Sequence, residues 1–118
     1  MATLGEYLGA GSSTTKLLLH LNGSSTDSSG NGNNGTDTAI TYSQANGKFG
    51  QGAGFNGSSS YISISNAPVS NISFTVSLWI KINSFASSGD YKWIISQRNT
   101  DSNHRDWQIY LRGEYGNK

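Results

Sequence analysis

Five carboxylate or amide side chains, Asp27, Asn31, Asn33, Asn34 and Asp37, lie within eleven residues, Asp-Ser-Ser-Gly-Asn-Gly-Asn-Asn-Gly-Thr-Asp. Carboxylate and amide oxygens on a flexible loop suit a hard cation such as calcium, which takes about 6–8 oxygen ligands. The spacing is not that of an EF-hand, because the closing glutamate is absent. The same residue types also supply Asx turns and left-handed backbone between strands. Two readings stand side by side: a calcium site built from Asp27, Asn31, Asn33 and Asp37, or a loop whose polar side chains serve its own turns. A second polar loop, residues 99–106 (Asn-Thr-Asp-Ser-Asn-His-Arg-Asp), precedes the strand pattern that begins at Trp107.

Aromatic residues concentrate near the C-terminus. Tyr91, Trp93, Trp107, Tyr110 and Tyr115 stand beside Arg98, Arg105 and Arg112. An aromatic face can stack against the C–H face of a sugar ring while a guanidinium or amide bonds its hydroxyls. Arg98, Arg105, Trp107 and Tyr110 are the candidate ligand-binding residues on this reading. The alternative is that these aromatics pack inside the fold.

Other chemistry is poorly represented. Glycoside hydrolysis needs two carboxyl groups roughly 5–10 Å apart across one bond, and the two glutamates, Glu6 and Glu114, lie near opposite ends of the chain. No cysteine is present to act as a nucleophile, form a disulfide or ligate a metal. His104-Arg105-Asp106 spells the kinase catalytic tripeptide without its lysine strand or Asp-Phe-Gly partner. Gly50-x-Gly52-x-Gly54 leads into a strand pattern, not a helix whose N-terminus would hold phosphate. Catalysis and nucleotide binding are not expected. With a net charge of +1 and 13% charged residues, the chain lacks the basic patch of a nucleic-acid binder.

Leu17-Leu18-Leu19 falls far short of the roughly 20 apolar residues that span a bilayer. Residues 1–13 carry neither the basic start nor the apolar stretch of a secretory signal; Leu4, Tyr7 and Leu8 give them the spacing of a short helical arm. A composition rich in Gly, Ser, Asn and Thr, with 11% aromatics, points to an extracellular, cell-surface or virion protein. Four Asn-x-Ser/Thr sequons, at Asn22, Asn34, Asn56 and Asn71, follow from that composition.

The elements that must position these groups read as strands. Alternation of apolar and polar residues predicts strands at 15–22, 39–43, 52–55, 61–65, 73–82, 93–96 and 107–112. Residues 22–38 read as one long loop. Within 73–82, Phe74, Val76, Leu78, Ile80 and Ile82 share one face, and Trp79 marks the other as partly covered. Pro68 falls in a turn, where its missing N–H costs no ladder bond. The two last strands are expected to form a hairpin. The fold class is all-β and antiparallel.

The order and spacing of several short motifs carry a more specific resemblance. They are Leu-Leu-Leu-His-Leu-Asn-Gly (17–23), Asp-Ser-Ser-Gly-Asn-Gly-Asn-Asn-Gly (27–35), Gly-Lys-Phe-Gly-Gln-Gly-Ala-Gly-Phe-Asn-Gly (47–57), Tyr-Ile-Ser-Ile (61–64) and Phe-Thr-Val-Ser-Leu-Trp-Ile-Lys (74–81). Together they resemble the laminin-G-like domains of the concanavalin A-like lectin/glucanase superfamily, over about residues 17–115. The resemblance implies a jelly-roll β-sandwich of two curved antiparallel sheets, residues 14–118, preceded by the arm 1–13. It implies binding of carbohydrate, protein or calcium, and in the pentraxin branch the loop matching 99–106 supplies an acidic residue to calcium, which brings in Asp101 or Asp106. The glucanases' clustered Glu-x-Asp-x-Glu strand is missing.

The expected function is therefore a non-catalytic surface recognition module for glycan or protein. The alternatives are a decoration or fibre subunit of a phage virion or other surface assembly, and the N-terminal part of a glycoside hydrolase. Later family motifs, Gly-x-Trp-His-x-Val-Ala and an Asp-Gly strand, are absent. The sandwich is thus expected to be incomplete and to be completed by a second chain, by self-association or by further sequence beyond these residues, since unpaired inner strands leave backbone donors, acceptors and apolar faces exposed. Light scattering should show an associated species; a cooperatively melting monomer would contradict this expectation.

Overall fold

The computed structural model describes residues 14–66, 68–69, 72–84, 87–98 and 105–113, with residues 105 and 106 described through the backbone alone. Among the described residues, six strands form three two-stranded antiparallel sheets. β1 (Gly35–Thr38) pairs with β4 (Tyr61–Ile64), β2 (Thr41–Ser43) with β3 (Gly52–Gly54), and β5 (Tyr91–Arg98) with β6 (Arg105–Arg112). The fold class is all-β, with a 3-10 turn at Gln44–Asn46 as the helical element among the described residues. No helix among them is long and apolar enough to cross a membrane. Residues 1–13, expected as an arm, lie outside the described set.

The chain divides into two units, Met1–Ser77 and Leu78–Lys118. In the first, the register Gly35↔Ile64 to Thr38↔Tyr61 sets Ile62 and Ile64 half-buried, with Tyr61 and Ser63 exposed, as the alternation in Tyr-Ile-Ser-Ile requires. An Asx turn leads into β4, with the Asn56 Oδ1 accepting the backbone N–H groups of Ser58, Ser59 and Ser60 at 2.9–3.1 Å. Ala39, at φ +50, turns the chain from β1 towards β2, and its carbonyl accepts the Ser60 hydroxyl at 2.8 Å. In the second unit, the β5–β6 ladder continues past the strand ends through bonds between Gly89 and Gly113 and between Gly113 and Asp90, each 3.0 Å.

The most buried side chains of the first unit are polar: Ser25, Asp27 and Ser29 are 4%, 8% and 3% exposed. None of the described apolar side chains reaches that depth. Leu17, Leu18, Leu19 and Leu21 are half-buried around this polar centre.

Three expectations for the strands are corrected. Residues 15–22 form no strand, only the isolated bridge Leu19↔Asp27, because Leu21 adopts φ +55, a left-handed conformation that breaks extended pairing. Residues 22–38 are not loop throughout, since their last four residues are β1. Residues 73–82 carry the strongest period-two pattern in the chain yet belong to no strand among the described residues. Alternation says which side chains would share a face; a strand also needs a neighbouring backbone to bond. Trp79, expected to be partly covered, is 77% exposed. The remaining strands fall within one to two residues of their expected ends, and β5 and β6 form the expected hairpin.

One glycine tests this packing. A Cβ on Gly35 would lie 2.6 Å from the Ile62 Cγ2 and 2.7 Å from the Ser25 Cβ, so Gly35→Ala should destabilise the first unit by about 1–3 kcal/mol in urea unfolding. Gly30→Ala meets no atom within 4 Å but takes φ +88, and should cost only the left-handed strain of about 1 kcal/mol. Equal stability of Gly35→Ala and the parent chain would show that β1, β4 and Ser25 do not meet as described.

Candidate functional site

The oxygen-rich loop is organised by the Asp27 carboxylate. Its Oδ1 accepts the backbone N–H groups of Leu18 (3.0 Å) and Ser29 (2.9 Å), and its Oδ2 accepts the Ser29 hydroxyl (2.8 Å) and the Asn33 N–H (2.9 Å). Burial works against the charge, but these donors outweigh it and hold the Asp27 pKa below its ordinary value. The Asp27 N–H in turn donates to the Asn34 Oδ1 at 2.9 Å. The side-chain nitrogens of Asn31 and Asn33 reach back to the preceding segment. Asn31 Nδ2 donates to the carbonyls of Thr15 (2.7 Å) and Lys16 (3.3 Å) and to the Ser29 Oγ (2.9 Å), and Asn33 Nδ2 donates to the Lys16 carbonyl (3.0 Å).

Asp37 stands on β1 with different partners. The Ser25 hydroxyl donates to its Oδ1 and the Tyr42 hydroxyl to its Oδ2, the latter at 2.7 Å. Burial, with the Asp37 carboxylate beside it, pushes the Tyr42 hydroxyl up to about 12. A cation at Asp27 would have to displace four hydrogen-bond donors. No group of three or more His, Cys, Asp or Glu side chains gathers to hold a metal among the described residues. Asp101 and the Asp106 side chain lie outside them.

The second constellation is the β5–β6 hairpin. Its register runs Tyr91↔Arg112, Lys92↔Leu111 and Trp93↔Tyr110, skips Ile94 in a bulge, and resumes with Ile95↔Ile109, Ser96↔Gln108 and Gln97↔Trp107. Because side chains alternate across the sheet, Tyr91, Trp93 and Ser96 share one face with Gln108, Tyr110 and Arg112. That face is open: Tyr91, Trp93 and Tyr110 are 45%, 46% and 41% exposed. The other face carries Lys92, Ile95, Gln97, Trp107, Ile109 and Leu111, all half-buried or buried.

The three exposed rings touch one another. Tyr91 and Trp93 lie 5.7 Å apart with planes 10° from parallel, and Tyr110 meets both edge-on, at 5.1 Å from Tyr91 and 5.2 Å from Trp93. The Arg112 guanidinium carbon sits 5.9 Å from the Tyr91 ring centre, within cation–π range. Such contacts among rigid rings fix a shape before any ligand arrives.

The expected ligand set is divided by this geometry. Tyr110 lies on the exposed aromatic face, whereas Trp107, three residues earlier on the same strand, faces the opposite way. Arg98 is exposed at the far end of β5, opposite Arg105, whose side chain lies outside the described residues. Tyr91, Trp93 and Arg112 join Tyr110 instead. Strand parity separates Trp107 from Tyr110 in the sequence itself, but the bulge at Ile94 shifts the pairing, so which β5 residues face Tyr110 is decided by the register.

No protein-family model, curated protein or solved structure matches this chain.

The Asp27 and Tyr42 networks should be legible in pH dependence. A carboxylate held below its ordinary value of 3.8 contributes stability that is present above that pH and lost as pH falls through its lowered folded value. Asp27→Asn should destabilise the first unit by about 1–3 kcal/mol at neutral pH and flatten the acid limb of a thermal-melt series. A hydroxyl raised to about 12 contributes stability that is complete below pH 10 and lost as pH rises to 12, so Tyr42→Phe should flatten the alkaline limb. Unchanged acid and alkaline limbs in the two variants would contradict these assignments.

Proposed function

We propose that this chain is a non-catalytic recognition module that binds glycan through the exposed aromatic face of the β5–β6 hairpin. The observation that carries the reading is the contiguous set Tyr91, Trp93 and Tyr110, exposed and in mutual contact, flanked by Arg112. Three partly exposed rings on a two-stranded ribbon give stacking surface for sugar C–H groups, and the Arg112 guanidinium with the neighbouring Ser96 and Gln108 side chains gives hydrogen bonds to hydroxyls. Asp27 and Asp37 are engaged in holding the first unit together, an arrangement that favours binding over hydrolysis by that pair.

On this reading the three small sheets are parts of a laminin-G-like jelly-roll sandwich, the setting is a cell or virion surface, and a second chain or a second copy supplies further strands. One observation favours the alternative of a structural subunit in a surface assembly. In the second unit Leu78, Trp79, Ile80 and Ile82 are exposed in a segment with the alternation of a strand, the kind of surface that subunit contact covers.

The test is a glycan array probed with the full chain, followed by calorimetry on any hit. Trp93→Ala and Tyr110→Ala should each weaken binding by roughly three- to tenfold, with far-UV circular dichroism unchanged. A blank array, or binding unaffected by both substitutions, would sink the reading; stoichiometric incorporation into an assembly together with a blank array would favour the structural alternative.

A further inference from the structure

The first unit carries a second candidate surface, which owes its form to the buried polar centre. Ser25, Asp27 and Ser29 turn inward. From 24 to 29 the side chains alternate, so Ser24, Thr26 and Ser28 turn outward, and His20 and Asn22, on the bent stretch before them where Leu21 and Gly23 take positive φ, are exposed as well. Together with Phe49 they line one open depression of about 380 Å³, at the lower end of the size range of small-molecule sites. Phe49, 74% exposed, supplies the aromatic side chain of that lining.

Its position is built, not incidental. Asn22 Oδ1 accepts the Gln51 N–H at 3.0 Å, which ties the turn bearing Phe49 to the row. Gly50 makes the turn possible, at φ +72 with the Asn22 side chain packed against it. The Ser24 hydroxyl donates to the Thr26 Oγ1 at 3.1 Å. The Ser25 carbonyl and Ser28 N–H are already bonded, to the Gly35 N–H and the Leu18 carbonyl, so recognition here runs through side chains and not through addition of a peptide strand.

We infer that the depression lined by His20, Asn22, Ser24, Thr26, Ser28 and Phe49 is a second binding site, separate from the hairpin face, for a short stretch of neutral saccharide. Hydroxyl and amide side chains match sugar hydroxyls as both donors and acceptors, and one aromatic ring matches a sugar C–H face. The lining holds no carboxylate, lysine or arginine, so it has no fixed charge with which to select an acidic sugar. The hairpin face, with Arg112, differs in that respect. The inference rests on the recognition reading above and extends it to a second subsite.

The test uses the isotope-labelled full chain and backbone amide NMR, with neutral cello-, malto- and xylo-oligosaccharides as probes. At least one probe should shift the amides of residues 20–28 and 49 in a saturable way. Phe49→Ala, which removes an exposed ring and should leave the spectrum otherwise dispersed, should weaken that binding by roughly three- to tenfold. Thr26→Val, equal in shape but lacking the hydroxyl, should weaken it also, whereas the Trp93→Ala, Tyr110→Ala double variant should not. Shifts confined to the hairpin, or saturable shifts at 20–28 indifferent to both Phe49→Ala and Thr26→Val, would overturn the second site while leaving the hairpin reading intact. No shift anywhere with these probes would also overturn the second site, and joined to a blank glycan array it would overturn both.

Discussion

The Asp27 carboxylate collects four hydrogen bonds from Leu18, Ser29 and Asn33, three points of the chain separated by turns. Where a domain of this size usually centres on apolar side chains, the deepest positions of the first unit are two serines and this aspartate. A buried charge is costly unless its lone pairs are answered, and removing any of its donors would leave part of that cost uncompensated. The loop around it is therefore over-determined. Its glycines and asparagines supply the turns that bring the N–H groups to the carboxylate, and the Asn31 and Asn33 side-chain nitrogens reach back to the Lys16 carbonyl.

From that centre the rest of the first unit follows by geometry. Turning residues 25, 27 and 29 inward turns 24, 26 and 28 outward, which produces an exposed row of hydroxyls without any sheet to display it. Ser25 extends the network to Asp37 on β1 and through it to Tyr42 on β2. Two of the small strands are thus joined to the polar centre by side chains as well as by the chain. The hairpin of the second unit works differently. There the ladder positions the side chains, and the contacts among Tyr91, Trp93 and Tyr110 form where the register brings the two strands' outer faces together.

Much of this was accessible from residue pattern. Tyr-Ile-Ser-Ile at 61–64 and the two C-terminal strands were legible because alternation coincides with real pairing, and the turn around Asn56 because Asn with following serines closes an Asx turn by local bonds alone. The strand expected at 15–22 failed at one residue, Leu21, whose left-handed backbone is imposed by the surroundings and not by leucine's own preference. The strand expected at 73–82 failed for a different reason: its alternation is ideal, but among the described residues it enters no ladder, and alternation alone does not supply one. The exposed row of Ser24, Thr26 and Ser28 escaped detection because period-two reading looks for apolar residues, and over 24–29 both faces are polar.

What the sequence determined by itself is the all-β class, the turns and the identity of the groups able to do chemistry, since backbone preference and side-chain chemistry are local properties. It also separated Trp107 from Tyr110, because parity along one strand is a property of that strand alone. Only the tertiary structure decided which oxygens Asp27 would gather, because its donors come from residues 18, 29 and 33 and their convergence depends on the path of the turns. Only it decided that Tyr110 would meet Tyr91 and Trp93, because a single bulge at Ile94 changes which residues oppose one another. Long-range pairing and register are set by the sum of many weak bonds across the fold, and no single stretch of residues contains that sum.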